Sequence, residues 1–310
     1  MESVLIAAAV LAVILFAIGW YYSGIAFLPR VISHEDAYRH EIEAGRIVPE
    51  EVEKLPHREI MIPSPFGYTV YGQFFPVPGS TKTAILCHGY TYNLYGSIKF
   101  LNLFLDRGFN VLLVDHRYHG RSGGRYTTFG YYEKVDLKAC VDWVLSNVGE
   151  NSLIGTHGES LGAGVVLQHA AIDPRIAFAI ADSGYSDLER LLKLRLREDF
   201  RLPVFPILPL AVLVGRLRCG IEVSRVSPIG MLIEVKTPIL FIHGENDTLI
   251  PCQMSMEMYE QYPERRRLYL VPGARHAETY WVDKAAYNQH LDAFLEEFRI
   301  TAPPVYTEPG

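Results

Sequence analysis

Leu153-Ile154-Gly155-Thr156-His157-Gly158-Glu159-Ser160-Leu161-Gly162-Ala163-Gly164 is an apolar run that turns through Gly-x-Ser-x-Gly into a helix-forming stretch. The spacing predicts a strand, a tight elbow at Ser160 and a helix from Leu161 to about Ala171. Gly158 and Gly162 lack the Cβ atoms that would clash where strand and helix nearly touch. The Ser160 hydroxyl is then pushed out above the sheet. The Leu161 amide, first in its helix, becomes an unpaired donor pointing where an oxyanion would form. A bare Gly-x-Ser-x-Gly arises by chance in many chains, so the flanking strand and helix carry the reading.

Around this elbow the chain alternates. Arg58 to Pro63 and Tyr68 to Phe75 read as two strands joined through Pro65-Phe66-Gly67, an antiparallel opening to a sheet. Short apolar runs follow at Thr83–Cys87, Asn110–Asp115, Ser152–Thr156, Ala177–Ala181, Pro238–His243 and Arg267–Val271. Such runs suit central strands covered on both faces. Helical segments near Ser97–Arg107, Tyr132–Asn147, Leu161–Ala171, Gln253–Gln261 and Lys284–Phe298 separate them. The expected fold class is α/β: a doubly wound, mostly parallel sheet with right-handed crossovers. About fifty residues, 185–236, interrupt the alternation, far more than a crossover requires. They contain a basic, apolar-periodic helix at Leu188–Phe200, the punctuating Pro203, Pro206 and Pro209, and an apolar run at Leu210–Leu217. This insertion begins and ends at the carboxyl edge of the sheet, where ligands of open α/β sheets lie, and is expected to act as a helical cap.

A serine hydroxyl needs a base to remove its proton, and the base needs a carboxylate to fix its tautomer. Asp247 follows one strand in His243-Gly244-Glu245-Asn246-Asp247, and His276 follows the next in Gly273-Ala274-Arg275-His276. Both fall in loops on the rim expected for Ser160. Of eleven histidines, His276 alone follows the candidate acid and directly follows the last strand. Glu245 and Asp283 are alternatives to Asp247. A second oxyanion donor is expected at the amide of Tyr90, in His88-Gly89-Tyr90, paired with that of Leu161. Loss of one such donor costs about 2.7–4 kcal/mol of transition-state stabilisation. His88 is expected to brace its loop, and the Tyr90 ring either walls an acyl pocket or simply packs.

Val4 to Tyr22 is an apolar run interrupted only by Gly19, and at about 1.5 Å per residue it is long enough to cross a bilayer. Trp20, Tyr21 and Tyr22 suit the headgroup boundary. The competing readings are a cleaved signal peptide, with Gly24-Ile25-Ala26 faintly like a cleavage site, and a buried core helix. The n-region lacks Lys and Arg and the run is long, which favours an uncleaved anchor. Arg30, Arg39 and Arg46 follow the run and point weakly to a cytoplasmic domain; the interspersed Glu35, Asp36, Glu41 and Glu43 leave the side open. The domain expectation is an anchor at 1–28, a connector at 29–57, helix-compatible from His34 to Lys54, a hydrolase-like body at 58–300 and a tail at 301–310.

Composition narrows the partners. The 310 residues carry a net charge of −6 with scattered Lys and Arg, so nucleic acid is not an expected partner. Arg265-Arg266-Arg267 reads as a solvated charge cluster. Cys87, Cys140, Cys219 and Cys252 show neither disulfide-framework nor metal-ligand spacing, and no metal or cofactor is expected. Cys87 and Cys140 read as small buried hydrophobes.

Taken together, His88-Gly89-Tyr90, Asp115 to Gly124, Gly158 to Gly162, His243 to Asp247 and Gly273 to His276 resemble the α/β-hydrolase superfamily, over about Ile60 to Phe298. The N-terminal anchor, the Tyr132-Glu133-Lys134 helix start and Arg201-Leu202-Pro203 resemble YqkD-type hydrolases, related to serine aminopeptidases and monoacylglycerol lipases. The resemblance implies Ser160 as nucleophile, Asp247 as acid and His276 as base, with structural bracing from Asp115 to Gly124. The single-glycine oxyanion loop departs from the His-Gly-Gly-Gly form of some esterases. The leading expectation is a serine hydrolase cleaving carboxylic esters through an acyl-enzyme, without cofactor; the anchor and apolar cap hint at lipidic or medium-chain substrates. Alternatives are amide or peptide hydrolysis, with Glu189, Glu198 or Asp199 holding a substrate amine, and a non-catalytic membrane-tethered binding module.

Overall fold

Among the described residues, 1–261 and 263–300 of the computed structural model, eight short apolar runs become the strands of one sheet. The tail at 301–310 lies outside them. The strands are β1 (Arg58–Pro63), β2 (Thr69–Phe75), β3 (Lys82–Cys87), β4 (Asn110–Val114), β5 (Leu153–Glu159), β6 (Ile176–Asp182), β7 (Ile239–Gly244) and β8 (Arg266–Val271). Their order is β1-β2-β4-β3-β5-β6-β7-β8. β1 pairs antiparallel with β2, and β2 with β4; every later pairing is parallel. β4 is buried along its whole length, which is why it reads as an unbroken apolar run and not as an alternation.

The helices flank this sheet. α1 (Glu2–Phe27), α2 (His34–Glu43) and α3 (Pro49–Val52) precede it. A 3₁₀ run at Leu94–Phe100 leads into α4 (Leu101–Leu105), and α5 (Glu133–Asn147) and α6 (Leu161–Ala170) complete the first half. Between β6 and β7 come α7 (Leu188–Phe200), α8 (Val204–Cys219) and α9 (Pro228–Met231); α10 (Gln253–Glu260), α11 (Thr279–Val282) and α12 (Lys284–Glu297) close the chain. One core layer joins Ile85, Leu112, Val141 and Val165 on the α5–α6 face. The other joins Leu86, Leu113, Phe178, Phe294 and Leu291 on the face covered by α4 and α12.

Two expectations are refined. The connector is two helices, because Gly45 takes a positive φ of 67° and Pro49 starts a new turn. The long α8 contains Pro206 and Pro209, and its backbone breaks at Phe205 (φ −96°, ψ 134°), as expected for a residue forced out of the helical region by the proline after it. The first helix outruns the apolar stretch and reaches Phe27. It packs mainly on α8. A Cβ on Gly19 would lie 2.8 Å from the Leu210 carbonyl oxygen, and one on Gly215 2.6 Å from the Phe27 ring, so these two glycines let the helices approach.

The arginine cluster is a correction. Arg266 is fully buried and donates to the carbonyls of Met258 and Leu232, tying β8 to α10 and to the segment before β7. Only a long cation with several donors can satisfy both carbonyls at once. Arg267 pairs with Glu297, and Arg265 is exposed. Arg266→Met is therefore expected to cost about 2–4 kcal/mol of stability, since it leaves buried acceptors unpaired. Arg265→Met should stay within about 0.5 kcal/mol. Denaturant titration of the full chain in detergent checks both.

Candidate active site

The elbow is built by close contact. Ser160 has φ 57° and ψ −112°, a conformation that costs of order 1–3 kcal/mol for a residue with a side chain. Its surroundings enforce it. The Ser160 amide donates to the Asp182 carbonyl (2.8 Å). A Cβ on Gly158 would sit 2.2 Å from the Gly162 backbone, and one on Gly162 2.1 Å from the Cys87 carbonyl oxygen. β5 and α6 thus meet with no room for side chains, and the hydroxyl of Ser160 projects beyond the strand end.

Two further loops bring partners to that hydroxyl. His276 Nε2 lies 2.9 Å from Ser160 Oγ, and His276 Nδ1 lies 2.7 Å from Asp247 Oδ2. The carboxylate fixes the tautomer: Nδ1 carries the proton, leaving Nε2 to accept from the serine. Asp247 is buried, yet its carboxyl is held well below the usual range. Burial alone would raise it; the hydrogen bonds from His243 and His276, and the amides of Leu249 and Ile250 on Oδ1, outweigh that. The alternatives stand elsewhere: Asp283 accepts from Ala286 N at the start of α12, and Glu245 is exposed.

The loop after β3 abuts the serine. A Cβ on Gly89 would come 3.6 Å from Ser160 Cβ, so the loop that carries Tyr90 runs beside the serine that Leu161 follows in sequence. Among the described residues, neither amide has a protein acceptor. His88 braces this loop: its Nδ1 donates to the Gly89 carbonyl (2.7 Å) and its Nε2 accepts from His116 N (2.9 Å). Burial, with His116 and His119 nearby, keeps His88 neutral by holding its pKa well below the ordinary value. Asp115 accepts from the amides of Leu94 and Arg121 and so also braces. The Tyr90 ring lines the cavity beside Ser160 and stacks on Phe129, while its hydroxyl is shared between the carbonyls of Ile25 (2.9 Å) and Ala26 (3.0 Å) in α1.

Beneath the site lies a set of buried charges that sequence reading missed. Lys99 Nζ is 2.5 Å from Glu159 Oε2 and donates to the Ala277 carbonyl (3.3 Å). One ammonium thus touches the residue before Ser160 and the residue after His276. Burial raises the Glu159 pKa against the pull of Lys99. Asp182 accepts from Thr279 Oγ1 (2.5 Å), Ser183 Oγ (2.9 Å) and the Tyr287 hydroxyl (3.2 Å), and burial raises its pKa too. His243, fully buried, reaches Asp247 Oδ2 (3.2 Å), the Ile250 carbonyl (2.8 Å) and Ser255 Oγ (2.7 Å). Its position four residues before Asp247 was the one available signal.

Ser160 and Leu161 open onto a cavity of about 270 Å³ whose walls include Tyr22, Ile25, Phe129, Leu191 and Leu208. Its walls are apolar apart from Arg195 and Asp199, which pair with each other (3.2 Å). Glu189 pairs with Lys193 and Glu198 is exposed. All four cysteines are buried and free. Among the described residues, no group of three or more His, Cys, Asp or Glu is placed to hold a metal ion.

A mostly parallel eight-stranded sheet with a serine presented at a strand-to-helix elbow defines an α/β-hydrolase. The family model described as X-Pro dipeptidyl-peptidase (S15 family) matches residues 35–196, and that described as serine hydrolase (FSH1) matches residues 167–277. The YqkD protein of Bacillus subtilis (strain 168) is 35% identical over 298 residues, 96% of this chain and 98% of its own. The Rv2307c protein of Mycobacterium tuberculosis is 25% identical over 81% of this chain and 83% of its own. Among solved structures, the Pyrococcus furiosus esterase Pf2001 superposes with a TM-score of 0.65 at 28% identity, covering 81% of this chain and 94% of that one. The chain belongs to the serine-hydrolase families of the α/β-hydrolase superfamily marked by the S15 model, in the branch that contains YqkD.

The depressed Asp247 pKa has a thermodynamic consequence. A carboxyl whose folded-state pKa lies below its unfolded value stabilises the native state above about pH 4, and that contribution is lost as pH falls further. Asp247→Asn is expected to lower stability by about 1–3 kcal/mol near pH 7, with the gap to wild type starting to narrow only as pH falls below about 4. Thermal melts across that range check it; a gap that widened on acidification would contradict the charge argument.

Proposed function

We propose that the protein hydrolyses carboxylic esters through an acyl-enzyme, with Ser160 as nucleophile, His276 as general base and acid, and Asp247 orienting His276. The observation that carries this reading is the continuous chain Ser160 Oγ, His276 and Asp247, at 2.9 and 2.7 Å, opening onto an apolar cavity. Ser160 Oγ attacks the ester carbonyl carbon while His276 Nε2 takes the hydroxyl proton. The amides of Tyr90 and Leu161 hold the resulting oxyanion. The bond to the alcohol oxygen breaks, and His276 returns the proton to it. Water then repeats the sequence on the acyl-serine, releasing the acid and restoring the hydroxyl.

Ester is favoured over amide by the lining. An aminopeptidase-like site needs a free carboxylate for the substrate amine, and the carboxylate lining the cavity, Asp199, is neutralised by Arg195. The matching S15 family is that of X-Pro dipeptidyl-peptidases and Pf2001 is an esterase, so kinship alone favours neither.

In the same reading α1 is a retained anchor at residues 1–28, and 185–236 is the cap over the site. α1 is long and apolar enough to cross a membrane. A leader cut after Gly24-Ile25-Ala26 would strip Tyr22, Ile25 and Ala26 from the cavity wall, together with the two carbonyls that accept from the Tyr90 hydroxyl, and would leave the buried Phe27 as a charged terminus.

A fluorophosphonate probe is expected to label the full chain, to fail on Ser160→Ala and to label His276→Ala far more slowly. Turnover of p-nitrophenyl esters should fall by about 10⁴- to 10⁶-fold in either variant. Unchanged labelling of Ser160→Ala would count against the assignment of the nucleophile, and absence of labelling in the full chain would support a binding module instead. Faster turnover of aminoacyl or X-Pro anilides than of p-nitrophenyl esters would replace the ester reading with the peptidase one.

A further inference from the structure

The end of α1 does more than an anchor requires. Tyr22, Ile25, Ala26 and Phe27 line the cavity that holds Ser160. Their depth follows from helix geometry. Residues 2–21 rise about 30 Å, the thickness of a bilayer's hydrocarbon core, and the next six residues rise about 9 Å more, into the headgroup zone. The wall of the cavity therefore stands at the membrane surface.

This segment is also fastened to the reaction site. The Tyr90 hydroxyl holds the Ile25 and Ala26 carbonyls, and the amide of the same Tyr90 is a proposed oxyanion donor. The neighbouring α8 turns apolar side chains outward: Phe205 is 78% exposed, Leu213 54% and Leu217 74%. On its flank, the Arg218 guanidinium stacks on Trp20 at 4.0 Å, the arrangement of aromatic and cation that suits a lipid headgroup layer. Exposed apolar residues on a helix packed against a bilayer-length helix have one solvent that accepts them without cost, the membrane surface.

We infer that the anchor helix is itself the specificity wall of the acyl site, and that the substrate is a membrane-borne ester whose apolar chain enters the cavity from the bilayer surface. The inference rests on the esterase reading above and names its substrate class.

The test uses the full chain in phosphatidylcholine nanodiscs with p-nitrophenyl esters from acetate to palmitate. Ala26→Leu narrows the wall and is expected to move the preferred chain at least two carbons shorter; Ile25→Ala widens it and should move the preference longer. Opposite shifts cannot come from misfolding. Leu213→Glu with Leu217→Glu should lower the ratio of decanoate to acetate hydrolysis at least fivefold, by unseating α8 from the bilayer. Wild-type chain-length preference in both α1 variants, with Leu192→Trp on the α7 side shifting it, would overturn the role of α1. An unchanged ratio in the α8 variant would overturn entry from the membrane. If the wild-type chain turned over none of the esters, the esterase reading would fail first, and the inference with it.

Discussion

The approach of β5 to α6 without intervening side chains is the constraint on which the rest depends. Gly158 and Gly162 bring the two elements into backbone contact with each other and with the end of β3. That contact forces Ser160 into positive φ and stands its hydroxyl at the sheet edge. It also sets the distance between the loop after β3, which carries Tyr90, and the first turn of α6, which carries Leu161. Any Cβ inserted there would separate the hydroxyl from both amides. Overpacking in such contacts costs about 1–3 kcal/mol or more, and here it would also dismantle the geometry of the site.

The strain is distributed around the site. Thr91 (φ 63°), Ser160 (57°), Ser183 (56°) and Ala277 (60°) all adopt positive φ; they follow Tyr90, Glu159, Asp182 and His276 in turn. Residues in such conformations persist only when their surroundings over-determine them. At Ser160, Ser183 and Ala277 the buried Lys99, Glu159 and Asp182 do this, by polar bonds that tie the ends of β5 and β6 to the 3₁₀ run after β3 and to the backbone after β8. Burying these charges is costly, and the cost is tolerable only because each finds several partners. Their contribution is positional: a hydrophobic replacement could pack as well but could not hold the Ala277 carbonyl, and with it the backbone beside His276.

What could be read from the sequence was what local pattern encodes. The parallel strands announce themselves as unbroken apolar runs, and the Ser160 elbow, Asp247 and His276 each sit in short motifs at predicted strand ends. Residues whose role depends on distant partners gave no such signal. Lys99 lay in a stretch read only as helical, and its partners are sixty and nearly one hundred and eighty positions away. Arg266 looked like surface charge because its neighbours are charged; its burial is dictated by two carbonyls left over at chain turns. The packing of α1 on α8 was hidden for a similar reason, since the contact spans nearly two hundred residues.

That long-range contact bears on how the proposed anchor is held in fixed relation to the rest of the chain. Near a bilayer the hydrophobic effect does little to drive one apolar helix onto another, because lipid is as apolar as the partner. Association must then rest on close packing and on hydrogen bonds. Both are present. Gly19 and Gly215 supply the close approach, as small residues do between membrane helices. Tyr90 and Thr127 supply bonds to the last carbonyls of α1, groups that every helix leaves unpaired at its C-terminus. An anchor joined only by a flexible linker would leave those carbonyls to water and the cavity without one wall. The joint is therefore rigid, and under the anchor reading proposed above a rigid joint is useful only if the orientation of the body against the membrane matters to what the site does.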